Sequence, residues 1–93
     1  MRLERKITKI EYSSRFIRSF GKLPVDLQQR VKEQEYIFKD NAFDVRLKTH
    51  KLHGSRAGEW AYSVDYEYRI VFAFHDGDEV VYFDIGTHDE LYR

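Results

Sequence analysis

Asp76-Gly77, set between two apolar runs, constrains this chain more than any other feature. A two-residue hairpin turn of the favoured hand needs positive φ at both central positions, which Asp tolerates and Gly adopts freely. The run before it, Tyr68 to Phe74, is nearly continuous in apolar residues and broken only by Arg69, as expected of a central strand. Glu79 to Ile85 is the returning strand. Upstream, Trp60, Tyr62 and Val64 alternate with Ala61, Ser63 and Asp65, the pattern of a half-buried strand. A sheet of this kind leaves an apolar face that another layer must cover.

The first forty residues supply that layer. Ile7, Ile10 and Tyr12 form a short opening strand, and Ser13-Ser14 then offers a helix N-cap. Phe16, Ile17 and Phe20 recur at helical spacing, Gly21 is a natural stop, and Leu23-Pro24 restarts the helix with proline in the first turn. Leu27, Val31 and Phe38 continue the period until Asp40-Asn41. Residues 42–58 are irregular; Phe43, Val45, Leu47 and Leu52 share no period, and Gly54 and Gly58 mark a loop. The fold class is therefore α+β, in the order β-α-α-β-β-β, with a helical hairpin packed on an antiparallel sheet. Its 93 residues form one domain spanning 1–93, and an aromatic fraction of 16% supplies the burial that a disordered chain lacks.

Composition narrows the function classes. The chain has no cysteine, hence no disulfide and no thiolate metal site. Met1-Arg2-Leu3-Glu4-Arg5-Lys6 lacks the apolar core of a secretory signal, and no run approaches the length that spans a bilayer. These features fit a cytoplasmic protein. Its net charge of zero hides an asymmetry: residues 1–56 carry 14 Lys and Arg against 7 Asp and Glu, residues 57–93 carry 2 against 9. A basic half can meet phosphates while the acidic half faces elsewhere, unless the fold interleaves them.

Four clusters bear on chemistry. Lys48, His50, Lys51 and His53, with Arg46 and Arg56 nearby, supply the cationic donors that a phosphate-binding surface requires; alone, they also fit a solvated basic loop. His50 and His53 form a His-x-x-His pair, but no third metal ligand accompanies them. Asp65, Glu67 and Arg69 make either a surface ion pair or a proton acceptor beside a phosphate-holding guanidinium. His88, after the small turn Gly86-Thr87 and before Asp89, Glu90 and Tyr92, places a ring that titrates near neutrality where a strand ends. His75, beside the hairpin turn, is read as exposed and without a role.

Taken together, Phe20-Gly21-Lys22-Leu23-Pro24, Leu47-Lys48-Thr49-His50-Lys51-Leu52-His53-Gly54, Tyr68-Arg69-Ile70-Val71-Phe72 and Gly86-Thr87-His88-Asp89-Glu90-Leu91-Tyr92 resemble the RelE/ParE superfamily of type II toxin–antitoxin toxins, nearest its YafQ-like branch. The resemblance implies the same β-α-α-β-β-β domain. It implies ribosome-dependent endonuclease cleavage of messenger RNA by metal-independent attack of the 2′-hydroxyl, with no cofactor, and a cognate antitoxin as partner. It assigns His50, Glu67, Arg69, His88 and Tyr92 to catalysis. Glu67 or His50 would be the base, His88 the acid, Arg69 the phosphate cation and Tyr92 the aromatic that orients a base. Arg46, Lys48, Lys51, His53 and Arg56 would hold the RNA. Ser63 stands where that branch carries a further histidine. Two other readings follow from the same superfamily, a ParE-like inhibitor of DNA gyrase and a catalytically idle antitoxin-binding member.

Overall fold

The computed structural model describes residues 4–92, so Met1–Leu3 of the N-terminal stretch and Arg93 lie outside it. The chain runs β1 (Lys9–Tyr12), α1 (Ser14–Gly21), α2 (Val25–Asp40), β2 (His50–Lys51), β3 (Trp60–Ser63), β4 (Tyr68–His75), β5 (Glu79–Thr87) and α3 (His88–Leu91). Short 3₁₀ turns at Val45–Leu47 and Gly54–Arg56 flank β2. Among the described residues, no helix is long and apolar enough to cross a membrane.

Local signals place the elements. Ser13 caps α1 by accepting from the Phe16 N–H at 3.0 Å. Pro24 stands at the N-cap of α2, where its missing N–H is not needed. Asp76 and Gly77 both have positive φ, 47° and 73°, as the hairpin between β4 and β5 requires.

The α+β layering is the one expected, with a mixed sheet of order β1-β5-β4-β3-β2. β1 lies parallel to β5, with Lys9 opposite Glu79 and Tyr12 opposite Tyr82. Two helices separate β1 from the other strands, and a parallel pair needs such a crossover, whereas a tight turn dictates only antiparallel neighbours. The two-residue β2 pairs His50 with Ala61 and Lys51 with Trp60 inside the segment read as loop. The expected turn at Gly86-Thr87 is the end of β5, which continues to Thr87 and passes directly into α3.

Tyr62, Val64, Ile70, Phe72, Val80, Tyr82 and Ile85 form one buried cluster with Phe16, Val31 and Phe38, and Trp60 packs against it. A β-bulge lets both Tyr82 and Ile85 point inward: Val71 pairs with Asp84 and Phe72 with Tyr82, leaving Phe83 as the extra residue. Within this core the Tyr62 and Tyr82 hydroxyls bond each other at 2.7 Å. At its edge Tyr12 donates to the Glu35 carboxylate, 2.9 Å from Oε1.

Burial pushes the Tyr62 and Tyr82 phenols above their ordinary value, and burial with the Glu35 hydrogen bond does the same for Tyr12. The unfolded chain would release these protons from about pH 10, while the folded protein still holds them. Their contribution to stability is thus fully present below that pH and is lost as pH rises above it. The urea midpoint is expected to stay level to about pH 9 and fall by about pH 11. Tyr62→Phe should flatten the fall, and a midpoint unchanged across that window would contradict the assignment.

Candidate active site

The face of the sheet opposite the core gathers most of the candidate residues. Register alone brings its residues together: His50 sits across from Ala61, Ala61 from Val71, Ser63 from Arg69, and Arg69 from Gly86. His50, Lys51, His53, Arg56, Arg69, His88 and Tyr92 line one open cleft of about 700 Å³, and the Lys51 ammonium stands 5.5 Å from the centre of the Trp60 ring.

His50 is held by an unusual piece of backbone. Lys48 adopts a left-handed conformation, φ 53° and ψ 39°, which brings its carbonyl 2.9 Å from His50 Nδ1. A carbonyl only accepts, so Nδ1 carries the proton and Nε2 of the neutral ring keeps its lone pair. The exposed ring is therefore set up to take a proton through Nε2.

Arg69 is half-buried on β4, and its guanidinium has no hydrogen-bond or ion-pair partner among the described residues. An unpaired guanidinium in a partly dry setting favours an anionic ligand.

The third wall is α3. Thr87 accepts from the Glu90 N–H at 3.3 Å and its own N–H donates to Glu90 Oε1 at 2.8 Å, a reciprocal capping box. Gly86 leaves room beneath it: a Cβ there would stand 3.2 Å from Glu90 Oε1 and 3.3 Å from Glu90 Cβ, so Glu90 would have to give by a few tenths of an ångström. His88 opens the helix, exposed, with Nδ1 3.9 Å from the Asp89 carboxylate and its ring edge-on to Tyr92 at 4.5 Å. The Tyr92 hydroxyl is buried without a hydrogen-bond partner. Burial raises its pKa, against the pull of the nearby Arg69 and Arg56 charges.

Not every residue named from sequence reaches this cleft. Glu67 lies apart from it, exposed in the turn before β4, beside Asp65, Arg30 and Asp26 at the start of α2. Its N–H bonds to Asp65 Oδ1 at 2.8 Å, and β4 begins only at Tyr68, so the two-residue alternation linking Glu67 to Arg69 does not operate. Arg46 is engaged by Asp44 through two contacts of 2.9 Å and, like Lys48, is not among the cleft-lining residues. His75 is exposed at the hairpin. Among the described residues no three His, Cys, Asp or Glu side chains are placed to hold a metal, and His50 and His53 gain no third ligand. Sequence reasoning missed Glu59, which pairs with Arg56, and the capping box, although Thr-x-x-Glu is its recognised signature.

No family model and no curated protein sequence matches the chain. Solved structures do. YafQ from E. coli strain BL21(DE3) superposes with a TM-score of 0.70 at 22% identity, covering 90% of this chain and 97% of its own. The RelBE2 toxin–antitoxin complex of Mycobacterium tuberculosis gives 0.75 at 18%, covering 89% and 93%. A YoeB/ParE toxin from Agrobacterium tumefaciens gives 0.73 at 16%, covering 87% and 99%. The fold is that of the RelE/ParE toxins. At these identities the likeness is one of architecture.

Proposed function

We propose that the chain is the toxin of a type II toxin–antitoxin pair and cleaves ribosome-bound messenger RNA without a metal. The observation that carries this reading is the convergence of a histidine with a free Nε2, an unpaired arginine, and a second histidine packed on a tyrosine in one basic cleft. Transesterification of RNA needs a base, an acid and a cation, and these residues supply them. The 2′-hydroxyl gives its proton to His50 Nε2 as its oxygen bonds to phosphorus. The P–O5′ bond breaks, and the leaving oxygen takes a proton from the His88 imidazolium. Arg69 balances charge on the non-bridging oxygens, Tyr92 orients a base, and Lys51 and His53 hold the backbone. Of the two candidate bases, position supports His50 over Glu67. The products are a 2′,3′-cyclic phosphate and a 5′-hydroxyl.

The test is to incubate the purified protein with programmed ribosomes and map the ends. Cuts bearing a cyclic phosphate are expected. Intact message together with inhibited gyrase supercoiling would instead favour a ParE-like activity, and intact message with no growth defect on expression an idle binding module.

The same reading requires an antitoxin, as in the M. tuberculosis complex. We assign its contact to the apolar groove of about 270 Å³ between α1, α2 and β1, lined by Tyr12, Phe16, Ile17, Phe20 and Val31. Ile17 is 59% exposed there. Burying an isoleucine contributes roughly 1.5–3 kcal/mol, so Ile17→Glu is expected to weaken antitoxin binding about tenfold or more. Cleavage should be unchanged, and undiminished affinity would move the antitoxin elsewhere.

A further inference from the structure

The four residues of α3 carry His88 and lead into Tyr92, yet a single turn has no stability of its own. What holds it can be enumerated. At its start stands the Thr87–Glu90 capping box. Along its length the Leu91 side chain is buried, 5% exposed, against Gly86. At its end, the carbonyl of Leu91 accepts from Arg56 Nη1. That last contact joins α3 to a segment thirty-five residues earlier in the chain. A guanidinium at a helix C-terminus also meets the negative end of the helix dipole.

Arg56 is itself fixed. It closes the 3₁₀ turn Gly54–Arg56, its Nε lies 2.9 Å from Glu59 Oε1, and the Glu59 N–H returns to the Arg56 carbonyl at 3.0 Å. From this seat its guanidinium stands 6.0 Å from the centre of the Tyr92 ring. Two of its donor groups are thus committed within the protein, and the side chain is half-buried. This differs from His53, which is exposed at the cleft. An arginine spent in this way is poorly placed to hold RNA, contrary to the role its position in the basic segment suggested.

We propose that Arg56, braced by Glu59, is a positioning residue that anchors the end of α3 through the Leu91 carbonyl and so sets the geometry of Tyr92 and His88. The proposal rests on the nuclease reading only for its effect on catalysis; the anchoring stands or falls on the structure of α3. Two observables report α3 directly. The Tyr92 N–H, bonded to the His88 carbonyl at 3.1 Å, reports closure of the turn by hydrogen exchange. The His88 ring-proton shifts report its edge-on contact with Tyr92.

In Arg56→Met, Tyr92 amide exchange is expected to quicken about tenfold. The His88 shifts should move toward those of a free imidazole. Single-turnover cleavage on programmed ribosomes should fall about tenfold, with ribosome affinity held within about twofold. Glu59→Gln, which leaves Arg56 charged, should shift the same observables in the same direction by less, and it carries the test should Arg56→Met unfold. Unchanged exchange and shifts in the folded variants would overturn the proposal, as would lost ribosome affinity with α3 undisturbed. If the wild type cuts no message, the nuclease reading fails, while exchange and shifts still decide the anchoring.

Discussion

Replacing His50 by alanine is expected to slow message cleavage by about 10²–10⁴-fold, the usual range for loss of a positioned general base. The size of the effect follows from the arrangement. The Lys48 carbonyl fixes the Nδ1 proton, so the ring, which lines the cleft, presents one tautomer with its lone pair on Nε2. The other candidate base, Glu67, sits beside Asp26 and Arg30 and does not line that cleft. The ring is exposed, so its removal should change folding stability by no more than about 0.5 kcal/mol. The measurement is the single-turnover rate on programmed ribosomes, alongside a urea melt. A rate near that of the wild type in a folded variant would remove His50 from the proton transfer, and growth arrest on expression would then persist.

Phe38→Ala is expected to destabilise the fold by about 3–5 kcal/mol. Phe38 has no solvent exposure and touches both layers of the core. Its ring stacks on Tyr62 at 4.6 Å, meets Phe72 edge-on at 4.9 Å and lies 5.9 Å from Tyr82. The residues around it belong to β3, β4 and β5, so the cavity cannot close by moving one element. Against a typical total of about 5–15 kcal/mol, the loss is large. Chemical denaturation would measure it, and a change below about 1 kcal/mol would mean that the neighbouring rings collapse into the space.

The legible parts of this fold are those written in local chemistry. Asp76-Gly77 specifies its own turn, Ser13 its own cap, and the Gly21 and Pro24 pair its own break between helices. β1 was recognisable as a strand but not as a parallel one, because its partner lies some seventy residues away and no turn encodes the direction. β2 escaped notice since two residues have no period to detect. The same logic divides the candidate site. His50, Arg69, His88 and Tyr92 meet because strand register and the β5–α3 junction stack them on one face. Glu67 does not join them because the β3–β4 turn ends one residue too late. The left-handed Lys48 had no signal at all, since lysine rarely adopts that conformation without help from its surroundings.

The parallel seating of β1 on β5 also orders events during synthesis. β1, α1 and α2 are made before the strand that β1 needs, Glu79–Thr87, which follows some seventy residues later. The hairpin that presents β5 is likewise late. Nascent helices must wait with Phe16, Val31 and Phe38 uncovered until the sheet exists to receive them. The cleft, assembled from β2, β4 and α3, closes later still. A molecule built in this order has no half-made form with a complete cleft: every intermediate shorter than the β5 strand lacks strands that both its core and its cleft need.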